Sequence, residues 1–165
     1  MTKTLTPDGL MVLSVLAVAA LCTLLWIFAR ARRHGGVAEV PSWLMFGWDG
    51  AAWSPGVIVI NRDARNKPAL LAHERCHQAQ QRRDGLLRFW WRYLTRRQAR
   101  LAYEVEAYRV WLDVSPGDRW RVLHILVNSY GFGLTTAQAE ALLESAFFSQ
   151  QRTASTQTQT QGTHP

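Results

Sequence analysis

Cysteine is scarce in this chain of 165 residues, which holds two of them, far apart. Cys22 lies in an apolar N-terminal run and Cys76 in a polar stretch. That excludes a fold built on a disulfide framework and permits a reducing compartment. Acid is short as well, with 12 Asp and Glu against 19 Lys and Arg and a net charge of +7. Such a surface attracts anionic partners, lipid headgroups or nucleic acid. No internal repeat is present, and a hydrophobic share of 48% argues against global disorder. The length suits one small domain with additions, not two full domains.

Charge is missing altogether from Leu10 to Phe28. As a helix this run measures about 28 Å, close to the hydrocarbon thickness of a bilayer. Trp26 stands near its end, and Arg30, Arg32 and Arg33 follow at once. A cleaved signal fits less well. The basic n-region is weak, the apolar core is too long, and no small-x-small cleavage site precedes the arginines. Leu21 occupies the place where a lipoprotein signal needs a small residue before Cys22. The expectation is a short tail at 1–9, a retained transmembrane helix at 10–29 and a juxtamembrane linker at 30–36. The arginines outweigh Lys3, which places the domain after the helix in the cytoplasm.

Downstream, "VPSWLMFGWDGAAWSPGVIVINRD" is broken by Pro, Gly and Asp, and Gly56–Asn61 is the clearest strand. Trp43, Trp48 and Trp53 are expected to pack a small irregular sheet or loop. Helices follow. One is capped by Asn66, with Pro68 in its first turn, and stops at Gly85. A second covers "LLRFWWRYL", with Arg88 and Arg92 on one face and Leu86, Phe89, Trp90 and Tyr93 on the other. Thr95 with Gln98 opens a third, Ser115-Pro116 a fourth, and Thr135 with Gln138 a fifth. The domain is drawn at 37–148, with a disordered polar tail at 149–165.

Within the first of these helices the chain reads His73-Glu74-Arg75-Cys76-His77. Residues four apart are about 40° apart around a helix, so both imidazoles leave one face and can share a metal ion. Glu74 lies about 60° from His77, where its carboxylate can reach a water on the ion without binding the metal itself. Zinc brings the pKa of such a water towards about 7, and the carboxylate takes its proton as the water attacks a carbonyl. With five His and six Glu in the chain, chance yields this pattern in about half a per cent of sequences of ordinary composition. The competing reading is two surface histidines with a salt-bridging glutamate.

A catalytic zinc takes three protein ligands and keeps an open fourth position. No further histidine lies near, which excludes the H-E-x-x-H-x-x-G-x-x-H arrangement. "YEVEAYRVW" offers Glu104 and Glu106, about 200° apart on a helix. Glu104 shares its face with Leu101, Ala107, Tyr108 and Trp111, an inward face, and is the preferred third ligand. Glu106 lies by Arg109 and Asp113 on a hydrated stripe suited to an ion pair. The alternative leaves both glutamates as solvated charges.

His73-Glu74-Arg75-Cys76-His77, with Glu104 and Ala107 in an E-x-x-A pattern, resembles the gluzincin metallopeptidases, above all their compact minigluzincin forms. The resemblance covers roughly 56–111. It implies an α+β, mainly helical, zincin-like small domain with a short sheet, an active-site helix and one zinc per chain. The ligands would be His73, His77 and Glu104, and Glu74 the base. It also implies an edge strand before the active helix that pairs with a peptide substrate, a role for which Gly56–Asn61 is placed. Many relatives carry Asp directly after the alanine, where this chain has Tyr108.

Around the motif, Cys76 is expected to pack behind the helix. Gln78, Gln80 and Gln81 extend the same helix, with Gln81 read as lying on a solvated face in preference to lining the cleft. Tyr108, Tyr130 and His124 are candidates for polarising a carbonyl, with His124 better read as a half-buried structural residue. Seven arginines between 82 and 100 suit a solvated face, a lipid-facing surface or a nucleic-acid patch. The lipid surface fits an anchored domain best, and no nucleic-acid motif supports the last. The function expected is a membrane-anchored zinc metallohydrolase, a peptidase acting on a peptide or protein. The alternative is a membrane adaptor with a structural zinc and a basic aromatic helix that binds lipid or a partner. Substrate identity and oligomeric state are not written in these residues.

Overall fold

The computed structural model describes residues 7–145. The fold is mainly helical with one small sheet, α+β as expected. It divides into two compact units, Met1–Ala64 and Arg65–Pro165.

The first unit opens with α1, Pro7–Arg33, which carries Arg30, Arg32 and Arg33 in its last turn, where they complement the helix dipole. A segment of it, Val15–Arg33, is long and apolar enough to cross a membrane and is 11% buried. The helix thus runs straight through the arginines expected in a linker. Its C-terminal end also packs into the fold. Ile27 and Ala31 are fully enclosed against Ala38, Val40, Met45, Val57 and Val59 of the sheet region. Arg30 donates from Nε to the Glu39 carbonyl at 3.1 Å and lies over the Trp26 ring.

The chain leaves α1 through Gly35 and Gly36, both at positive φ. At Gly36 a Cβ would stand 2.8 Å from the Gly56 carbonyl oxygen, so the close approach admits no side chain. Three strands follow: β1 (Val37–Val40), β2 (Gly50–Ser54) and β3 (Val57–Asn61). Their order is β1-β3-β2, with β3 parallel to β1 and antiparallel to β2. The strand before the motif helix is therefore the central one, not an edge. Val57 to Ile60 are all buried, as a strand covered on both faces requires. The expected pairing of Gly56–Asn61 with a peptide is excluded, since both its ladders are taken. The edges are β1 and β2.

The β1–β2 connection is a single 3₁₀ turn, Ser42–Met45, that sends Met45 inward. Phe46 adopts a left-handed φ of 49° and Gly47 one of 90°, which turns the chain back. Trp53 packs against the core, but Trp43 and Trp48 are 73% and 59% exposed, contrary to the packing expected of all three. The turn directs Leu44 and Met45 inward and leaves these two indoles outside.

In the second unit, α2 (Lys67–Asp84), α3 (Leu86–Thr95) and α4 (Arg97–Val114) are followed by a 3₁₀ turn at Pro116–Asp118 and α5 (Arg119–Asn128). A last helix, α6, occupies 136–145. α2 and α4 pack along each other, and α3 leans on both. Pro68 sits in the first turn of α2 and Gly85 ends it at φ 82°, as expected. The Asn66 side chain does not cap α2. It donates to Asp118 Oδ2 at 2.6 Å, an oxygen that also accepts from Trp111 Nε1 at 2.9 Å. Asp118 thereby ties the start of α2 to the end of α4, and these bonds, Trp111 first, hold its carboxyl below the usual range. Thr95 fails to cap α4 because its hydroxyl turns back to the Trp91 carbonyl. The pair at α6 is reciprocal: Thr135 N donates to Gln138 Oε1 at 2.9 Å, and Gln138 N to Thr135 Oγ1 at 3.2 Å. The expected tail at 149–165, with the end of the fifth helix, lies outside the described residues.

Candidate metal centre

The site lies wholly in the second unit. His73 and His77 leave the same face of α2, one turn apart, and their Nε2 atoms come to 3.1 Å. α4 turns Glu104 towards them, its Oε2 3.5 Å from His73 Nε2 and its Oε1 3.6 Å from His77 Nε2. The three residues offer one ligand atom each within 4.8 Å of one another, and all three are buried. Tetrahedral zinc with bonds of about 2.0–2.1 Å separates its ligand atoms by about 3.3 Å. The observed separations bracket that value.

The hydrogen-bond network determines which nitrogen faces inward. Gln80 is fully enclosed. Its Nε2 donates to the Tyr103 carbonyl at 3.0 Å and to Glu106 Oε2 at 3.1 Å. Its Oε1 is left to accept from His77 Nδ1 at 2.8 Å. The proton of a neutral His77 is thus on Nδ1, and the Nε2 lone pair points at Nε2 of His73. This is the arrangement of a metal-ligating histidine with an outer-shell partner. His73 is held well below the usual histidine range, first by burial and then by the charge on His77, with the Ala107 backbone opposing. A neutral imidazole is the form that binds a metal.

Glu104 is oriented just as tightly. Tyr93 donates to Oε1 at 2.5 Å and Tyr130 to Oε2 at 2.8 Å, while the Tyr108 hydroxyl lies 3.1 Å from that of Tyr130. Burial pushes all three phenols up, with the Glu104 charge adding to it, so they remain protonated donors. Tyr108 also lies against the His73 ring, at 4.4 Å between centroids. Trp111 borders His73, and Phe89 borders His77. The cluster therefore has an aromatic wall that lowers the local dielectric.

Glu74 is 4% exposed. Its charge is felt by both Tyr93 and Tyr108, after burial and Glu104 among the causes that push these phenols up. Glu106 is elsewhere. It pairs with Arg83 at 3.0 Å on the outside of the α2–α4 contact and accepts from Gln80, so it supports the site from behind.

Two of the three carbonyl-polarising candidates, Tyr108 and Tyr130, come into the cluster, directed at Glu104 and each other. His124 is exposed on α5, neither in the cluster nor half-buried. Cys76 is half-buried and accepts weakly from Gln80, and burial pushes its thiol up to about 12, so it is neither a ligand nor a thiolate. Gln78, Gln80 and Gln81 are all buried, Gln81 contrary to the solvated face expected of it, because α4 covers that side of α2. Gln80 and Tyr93 are the members that sequence reasoning missed. The signal for Gln80 was its place one turn after His77, and for Tyr93 its place one turn after Phe89 on the inward face of α3.

No family model matches this chain, and neither a curated protein nor a solved structure is similar to it.

Proposed function

We propose that this chain is a membrane-anchored zinc metallohydrolase of zincin type, a peptidase, with His73, His77 and Glu104 as metal ligands and Glu74 as general base. The observation that carries the reading is the convergence of three donor groups on two packed helices: the two Nε2 atoms are 3.1 Å apart, and the two Glu104 oxygens lie 3.5 Å from His73 and 3.6 Å from His77. Zinc at that point would supply Lewis acidity towards a substrate carbonyl and an attacking water.

The remaining roles fall to side chains. Glu74 takes the proton of the water and returns it to the leaving amine, the work of a buried carboxylate beside the reacting atoms. Tyr93 and Tyr130 fix the Glu104 carboxylate, and Gln80 fixes the His77 ring, so that neither ligand needs to reorganise. Among the described residues the metal-capable group has three members, which favours an open fourth position over a closed structural site.

Anchoring is supported by the enclosure of Ile27 and Ala31. Cleavage of α1 as a signal would strip both from the core of the first unit. The arginines at its end favour a cytoplasmic catalytic portion. The adaptor reading draws its support from an exposed apolar stripe on α3, described below.

Purified full-length protein in detergent, analysed for metals, should hold about one zinc per chain, since three such ligands make a strong site. Glu74→Gln should retain that zinc while hydrolysis of casein or a quenched fluorescent peptide library disappears. Protein without zinc, or undiminished hydrolysis in Glu74→Gln, would refute the proposal. Zinc retained by a protein that cleaves no peptide would favour the adaptor.

A further inference from the structure

α3 has two apolar faces. One carries Phe89 and Tyr93 inward to the metal cluster, where Phe89 borders His77 and Tyr93 binds Glu104. The other carries Leu87, Trp91 and Leu94, which are 86%, 65% and 68% exposed. Their spacing of four and three residues gathers them within about 60° of the helix surface. Three large apolar side chains in one stripe form a patch that a water-facing helix would not keep.

The charge near the stripe in the chain is of one sign, with Arg88 on α3 and Arg96 and Arg97 just past its end. All three are exposed, and Asp84 is the single acid between 82 and 100. Asp84 accepts from the Tyr103 hydroxyl and lies 3.6 Å from Arg92, so it does not offset those arginines. A tryptophan between leucines, bordered by arginines, is the composition of a helix lying in the headgroup region of an anionic membrane.

We infer that α3 docks by Leu87, Trp91 and Leu94 on an anionic lipid surface, with Arg88, Arg96 and Arg97 against the headgroups. This inference rests on the anchored reading, because α1 would keep the bilayer at high local concentration. It also deepens the choice of substrate. The opposite face of the same helix orients Glu104, so the polypeptides reaching the site are those lying along the membrane surface.

The test uses the full chain reconstituted in vesicles of brominated phosphatidylcholine, with or without 30% phosphatidylglycerol. Wild type is compared with Trp91→Phe and, as a control, with Trp120→Phe, which removes an indole 73% exposed on α5. In anionic vesicles Trp91→Phe should lose a share of the lipid quenching, Trp120→Phe should lose none, and 0.5 M salt should shrink the difference. Leu87→Glu with Leu94→Glu should lower quenching as Trp91→Phe does.

Equal quenching in wild type and Trp91→Phe would overturn the assignment, whether the stripe faces water or a second copy of the chain. An equal loss in neutral vesicles, or from Trp120→Phe, would overturn it too. None of these readings needs zinc or activity. Carbonate extraction reports the α1 anchor separately, so failure of either proposal is distinguishable.

Discussion

The two units differ in the polar groups they enclose. The centre of the first is apolar throughout: Ile27 and Ala31 from the helix, Ala38 and Val40 from β1, Val57 to Ile60 from β3. The centre of the second buries His73, Glu74, His77, Gln80, Gln81 and Glu104 between α2 and α4. Enclosing polar and charged groups costs stability unless each is paired, and even a fully satisfied network rarely outperforms a packed apolar core. On the proposed reading the first unit is a scaffold and the second carries the chemistry. On that same reading the polar burial serves ligation, since paired imidazoles and an oriented carboxylate are what a cation needs.

That contrast can be broken at several points. The largest effect belongs to Glu74→Gln, expected to lower peptide hydrolysis by about 10²–10⁴-fold, the usual contribution of a general base. Metal content and thermal stability should stay unchanged. Ile27→Ala should destabilise the first unit by about 2–5 kcal/mol through the cavity it leaves in a closed core. Thermal unfolding should show the loss while zinc stoichiometry holds, because the two centres are separate.

Gln80→Leu tests the outer partner of His77. It should weaken zinc binding by about 10–100-fold in a chelator competition, the usual cost of losing such a partner. An affinity equal to wild type would mean that Gln80 merely fills space. Gly36→Ala should cost about 1–3 kcal/mol, because a Cβ meets the Gly56 oxygen in a conformation that disfavours side chains.

The smallest effect is one of pH. In metal-free protein the His73 ring resists protonation when folded but accepts a proton near about 6.5 when unfolded. The unfolded state therefore binds more protons below that value, and stability must fall as the pH drops through it. Asp84 and Asp118 are both held below the usual carboxylate range, Asp84 chiefly by the Tyr103 hydroxyl. Their contributions are present above about pH 4 and lost below it, which leaves the interval between about 6.5 and 4 to the histidine. A melting temperature that is flat across that interval would speak against a neutral buried His73.

The contrast also explains what could be read from the sequence. His73, His77 and Glu104 were legible because helical geometry converts residue spacing into a shared face. The reciprocal cap at Thr135 and Gln138 was legible for the same local reason. Asn66 and Thr95 misled because their side chains found other partners, Asp118 across the fold and the Trp91 carbonyl within α3. Gln81 looked like a solvated residue since only the packing of α4 encloses it. The run Gly56–Asn61 announced a strand, but nothing local reveals which strands flank it, and its four consecutive apolar residues fit a central position better than an edge. Trp43 and Trp48 lie outside because the turn directs Leu44 and Met45 inward instead.

The most direct measurement is bound zinc per chain in wild type, Glu104→Ala and Glu106→Ala, prepared side by side. The account predicts about one zinc in wild type and in Glu106→Ala, and loss of it in Glu104→Ala, since two imidazoles alone make a weak site. Loss in Glu106→Ala with retention in Glu104→Ala, or no zinc in any of the three, would contradict it.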